Sequence, residues 1–125
     1  MKEIFRFKTL VAYQKALLLI KEVYHLMEKF PSKEQYALCD QLRRSSVSVT
    51  SNIAEGSSRH SVKEQIHYLE IAYGSLLEVD SQLEVAWILN YITEADFSKT
   101  EDLIEEVAKC ISGLQRSKAK QDSTL

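Results

Sequence analysis

The chain has 125 residues, 45% of them hydrophobic and 27% charged, with a net charge of −2, three glycines and one proline. That length suits one domain with a sizeable core, and so few turn residues exclude an all-β protein, which needs a turn roughly every 8–12 residues. Leu, Ile, Val and Phe are too plentiful for a disordered chain, and no apolar run approaches the ~20 residues of a membrane span.

The first helix is expected from about Thr9 to Lys29. Leu10, Tyr13, Leu17, Ile20, Tyr24 and Met27 recur at spacings of three and four, and Ala16 and Val23 widen that stripe. Phe30-Pro31 ends it, because the residue before a proline leaves the helical region. The second helix spans about Glu34 to Glu55, with Leu38, Leu42, Val49 and Ile53 on one side and Gly56 as a left-handed cap. Its middle, Arg43 to Ser51, is serine-rich and alternates like a strand. Helix is preferred, since a lone strand would have no partner in this chain.

The third helix is expected over Val62–Asn90, opened by a capping box of Ser61 and Glu64. Ile66, Leu69, Tyr73, Leu76, Leu83 and Trp87 form its stripe, which Asp80 interrupts. The fourth opens at Thr93 and carries Phe97, Ile104, Val107, Ile111 and Leu114. Short connections make neighbours antiparallel, so the expected fold is all-α, an up-down-up-down four-helix bundle. One domain is expected over residues 1–117, with residues 118–125 a frayed polar tail.

Two Glu-x-x-His pairs, Glu22–His25 and Glu64–His67, match the spacing of bundle di-iron sites. At 100° per residue Glu22 and His25 lie roughly 170° and 120° from the first helix's stripe. Glu64 and His67 lie roughly 140° and 160° from the third's, so all four point outward. A surface metal site of His60, Glu64 and His67 fails because His60 precedes the helical register. No Gly-rich phosphate loop or nucleophile elbow is present. No metal, cofactor, catalytic residue or small-molecule substrate is expected. Cys39 and Cys110 form no CxxC pair and there is no charged-then-apolar leader, so a reduced, cytoplasmic protein is expected.

Charge is distributed unevenly. Residues 1–63 hold eleven Lys/Arg against six Asp/Glu, and residues 64–125 hold five against twelve. Basic helices packed beside acidic ones, or a basic face kept for a polyanion, both account for this. Arg43, Arg44, Arg59, His60 and Lys63 gather in sequence around the junction of the second and third helices. They read either as phosphate contacts, RNA or DNA alike, or as a solvated turn paired with Glu55 and Glu64. Ile71, Val85 and Leu89 fall on the rear of the third helix and suggest contact with a second subunit, against a plain reading as scattered exposed side chains. The acidic third and fourth helices offer an alternative role as a protein–protein adaptor.

Several stretches carry a resemblance: Gln41-Leu42-Arg43-Arg44, Asn52-Ile53-Ala54-Glu55-Gly56 and Gly74-Ser75-x-x-Glu78. Phe7-x-x-Leu10 and Gln14-Lys15-Ala16 add to it. Over roughly residues 5–115 the chain resembles the four-helix-bundle proteins encoded in intervening sequences of bacterial 23S ribosomal RNA genes. Tyr13 stands where that family usually has Trp, and Thr50 where it often has Pro. The resemblance implies a ring-like homopentamer without established enzymatic activity. The accessory variability proteins of diversity-generating retroelements are similar, which implies a basic surface engaging nucleic acid.

Overall fold

A computed structural model describes residues 5–123. A 3-10 turn, Arg6–Thr9, leads into α1 (Val11–Met27), and a second, Ser32–Glu34, precedes α2 (Leu38–Ser57). Helices α3 (Val62–Ile88) and α4 (Glu94–Ser123) follow, and the described residues contain no strand. The serine-rich middle of α2 is therefore helical. Ser46 Oγ donates to the Leu42 carbonyl at 2.7 Å and Thr50 Oγ1 to the Val47 carbonyl at 2.8 Å. These hydroxyls find acceptors on their own helix, so their burial leaves nothing unpaired.

Each helix touches two others. Helices α1 and α3 both pack on α2 and α4 but not on each other, which places α1 and α3 on diagonal corners of a four-helix bundle. The start of α1, the end of α2, the start of α3 and the end of α4 consequently share one end. Small residues bring α2 and α3 closest: Ser48 and Ser75 share a hydrogen bond at 2.8 Å, and Ser45 Oγ donates to Gln82 Oε1 at 2.7 Å.

Four local expectations are corrected. Helix α1 buries Ala12, Ala16, Leu19, Val23 and Leu26, whereas Leu17 and Tyr24 are exposed. The core stripe is turned towards the Ala16–Val23 edge of the expected one, and Leu10, Tyr13 and Met27 pack along its flank. The run Leu17-Leu18-Leu19-Ile20 is apolar on every face, so periodicity alone does not fix the phase. The alanines do, by letting α1 sit close to its neighbours.

Gly56 is a buried interior residue of α2 with no positive φ, and Ser58 caps the helix in a right-handed conformation. A Cβ at Gly56 would stand 3.0 Å from Tyr68 Cβ and 3.3 Å from the Gln65 carbonyl. Close approach to α3, and not chain reversal, demands glycine there. Helix α2 begins at Leu38, four residues later than expected, because the 3-10 turn consumes Ser32–Glu34. Helix α4 continues through residues 118–123, where fraying was expected; Thr124 and Leu125 lie outside the described residues, as do residues 1–4.

The helix ends are otherwise set as local chemistry dictates. Ser61 Oγ accepts the Glu64 N–H at 3.1 Å. Thr93 and Asp96 form a reciprocal box, with bonds of 3.0 and 3.2 Å, at the start of α4. Asn90, at φ 64, terminates α3 while the Tyr91 N–H reaches the Ala86 carbonyl at 2.9 Å. Asparagine tolerates that left-handed position better than most residues.

Candidate nucleic-acid interface

The five basic residues near the junction in sequence do not form one cluster in space. Arg44 and Arg59 are fifteen positions apart, roughly 22 Å along the axis of α2 at 1.5 Å per residue. Arg43 Nη2 donates to the Gln35 carbonyl at 2.7 Å, which ties the preceding loop to α2. The Asp40 carboxylate lies 3.8 Å from Arg43 and 3.9 Å from Arg44. Both arginines thus belong to the end of the bundle that holds the α1–α2 and α3–α4 connections.

Arg59, His60 and Lys63 occupy the other end. Arg59 Nη2 donates to Glu55 Oε1 at 2.6 Å, and its guanidinium lies 4.8 Å from the centre of the Tyr68 ring. The hydrogen bond to Glu55 raises the Arg59 pKa above its ordinary value, so the charge is fixed but largely answered. Lys63 is exposed and has no ion pair among the described residues.

What sequence separates, the fold assembles at that end. Arg6 and Lys8 border an open groove with Tyr68, the residue that carries Arg59. Arg6 also shares with Lys118 of α4 the rim of a cavity of about 180 Å³ floored by Leu10, Ile53, Leu69 and Leu114. Four cations from three separate stretches, Arg6, Lys8, Arg59 and Lys118, therefore gather near one pole, and Lys63 in the first turn of α3 lies at the same end. Sequence reasoning singled out two of them. The alternation Phe5-Arg6-Phe7-Lys8 was the readable signal for two more; Lys118 gave none.

Elsewhere the uneven charge is neutralised internally. Lys15 of α1 meets Glu106 of α4 at 3.0 Å, and Lys29 meets Asp96 at 2.9 Å. Glu22 and His25 lie on α1 and Glu64 and His67 on α3, diagonal helices that do not touch. Among the described residues no group of three or more His, Cys, Asp or Glu is placed to hold a metal. No described helix is long and apolar enough to cross a membrane.

The rear of α3 is open in this single chain. Ile71, Val85 and Leu89 are 38%, 45% and 48% exposed, and Leu77 and Ile88 of the same helix are exposed beside them. Val85 and Leu89 border a groove of about 450 Å³ shared with Leu38 and Glu78. A second apolar face lies on α1, where Val11, Leu17, Leu18 and Tyr24 are exposed. The misplaced phase of α1 had concealed it.

The sequence profile described as 23S rRNA-intervening sequence protein matches residues 8–113. Among solved structures, a protein of unknown function from the S23 ribosomal protein family of Bacteroides thetaiotaomicron superposes with a TM-score of 0.77 at 23% identity. The match covers 84% of this chain and 98% of that one, and at such identity it speaks for the fold. No curated protein matches.

Proposed function

The chain belongs to the 23S rRNA-intervening sequence protein family, and from that premise we propose that it is a non-enzymatic, cytoplasmic bundle protein that self-associates and contacts RNA or DNA phosphates with its basic end. The observation that carries this reading is the gathering of Arg6, Lys8, Arg59 and Lys118 around the groove and cavity of one pole, with Lys63 in the first turn of α3 at the same end. Phosphate binding of this kind is independent of sequence and weakens with salt, because each docked cation releases counterions. Of the four arginine and lysine positions expected from sequence, Lys63 serves this contact, while Arg59 stands at the same end with its charge answered by Glu55. Arg43 and Arg44 hold the start of α2 through Gln35 and Asp40.

Self-association rests on the apolar outer faces of α1 and α3. Ile71, Val85 and Leu89 are 38%, 45% and 48% exposed, so burying what remains contributes about 2–4 kcal/mol per subunit before association costs. The assembly we propose is a ring of five, which repeats a weak basic patch around one rim and makes it multivalent. Light scattering at tens of micromolar tests the assembly, and a monomer there would refute it. RNA titration at two salt concentrations tests the contact. Lys63→Ala is expected to weaken two unrelated RNAs about equally and to flatten the salt slope by about one unit. Arg44→Ala is expected to leave both unchanged. If the acidic helices were the working surface of an adaptor, neither affinity nor slope would respond to Lys63.

A further inference from the structure

The open groove at the basic pole has a chemistry of its own. Phe5 and Phe7 stack with ring centres 6.1 Å apart and planes 12° from parallel. Tyr13 backs Phe7 edge-on at 4.9 Å and holds that ring in place. Phe5 is 59% exposed, a wet aromatic surface beside two cations. Arg6 and Lys8 line the same groove and have no ion pair among the described residues. Glu55 is the carboxylate that borders it, and Arg59 already neutralises that charge at 2.6 Å.

The opposite wall is polar. Asn52 Nδ2 donates to the Ser48 carbonyl at 2.8 Å and to Ser48 Oγ at 3.0 Å. Those bonds fix the amide and leave its oxygen as an acceptor on a groove-lining residue. Ser51, Ser57 and Ser58 continue the wall.

We propose that this groove binds single-stranded nucleic acid, seating an unpaired base on the Phe5–Phe7 platform and the adjoining phosphates at Arg6 and Lys8. The proposal rests on the phosphate-binding reading above and names the site and the strand state. Aromatic rings accept any base because every base has a π face, while flanking cations follow the backbone. In a duplex both base faces are covered, so the platform discriminates against paired strands. An apolar protein segment would leave Arg6 and Lys8 without counter-charge, and the groove offers no free carboxylate to a basic one.

The test uses the full chain and three fluorescent probes: oligo(A) RNA, oligo(dA) of equal length, and a blunt RNA duplex with the same number of phosphates. Wild type is expected to favour the single strands over the duplex by about tenfold. Phe5→Ala should lose about that factor on single strands and nothing on the duplex, and Phe5→Trp should restore it. A 2-aminopurine placed within the strand should be quenched on binding wild type but not Phe5→Ala. Dependence on Phe5 for either RNA or DNA supports the groove. Equal binding of all three probes, weakened uniformly by Lys63→Ala and untouched at Phe5, would overturn the groove while leaving phosphate binding standing. Absence of salt-sensitive binding to any probe would overturn both.

Discussion

Asp80 breaks the apolar stripe of α3, and across from it α4 presents another carboxyl group, Glu101. Asp80 Oδ1 is buried without a hydrogen-bond partner, an arrangement that two ionised carboxylates would not tolerate. The hydrogen bond with Asp80 pushes the Glu101 pKa up to about 7, helped by partial burial and the charges of Asp80, Glu84 and Asp102. Glu101 therefore holds its proton to a higher pH than an ordinary carboxyl group. In the unfolded chain Glu101 returns to its ordinary value of 4.5. The native state therefore binds that proton more tightly, and the stability it confers is full below the unfolded value and lost as pH rises towards about 7. Glu101 keeps an exposed side, so the effect is modest. Glu101→Gln keeps a donor without needing the proton. Thermal unfolding of the variant should match wild type near pH 4 and exceed it by about 2 °C at pH 8; a constant difference across that range would show that the Glu101 carboxyl is not raised in the folded state.

At the scale of the helix, two glycines that look alike in sequence have opposite roles. Adding a methyl to a helical glycine gains about 1 kcal/mol of propensity. At Gly56 the methyl would press on Tyr68 Cβ and the Gln65 carbonyl, neither of which is a flexible tip. Parting α2 from α3 costs about 1–3 kcal/mol, so Gly56→Ala is expected to destabilise. At Gly74 a methyl meets nothing within 4 Å, and Gly74→Ala is expected to gain about 0.5–1 kcal/mol in chemical denaturation. A gain at Gly56 would mean that the two helices slide apart freely. Sequence could not tell these cases apart, because the difference lies in what another helix brings near. The same reason governs what was legible elsewhere. Helix α4 shows its core face, since Phe97, Ile104, Val107 and Ile111 are buried as the period predicts. The core face of α3 is instead shifted towards Ala72, Val79 and Ala86, with Tyr73 and Trp87 on its flank, because exposed Ile71, Leu77, Val85, Ile88 and Leu89 blur the period. Helix α1 is apolar around its whole circumference near Leu17–Ile20, so its phase came from packing. The basic pole was half-hidden because Arg6, Lys63 and Lys118 are remote in sequence.

Across the whole molecule, the diagonal placement of α1 and α3 decides what kind of assembly the apolar faces permit. The outer faces of two diagonal helices point in opposite directions. A two-fold dimer uses one face twice and would leave the other wet. Pairing the α1 face of one copy with the α3 face of the next covers both, and repetition of that step closes a ring when the rotation allows. The two arrangements differ in how they respond to damage. Leu18→Lys places a charge on the α1 face, and Val85→Lys places one on the α3 face; both positions are exposed, so each variant should fold. In a head-to-tail assembly each variant alone is expected to be a monomer, since every interface needs one face of each kind. Mixed, the Leu18→Lys chain still offers an intact α3 face and the Val85→Lys chain an intact α1 face. One interface can form and neither end can extend, so the mixture should stop at a one-to-one dimer by light scattering. An α3-to-α3 dimer would behave otherwise: Leu18→Lys would keep the wild-type mass, and mixing would add no new species.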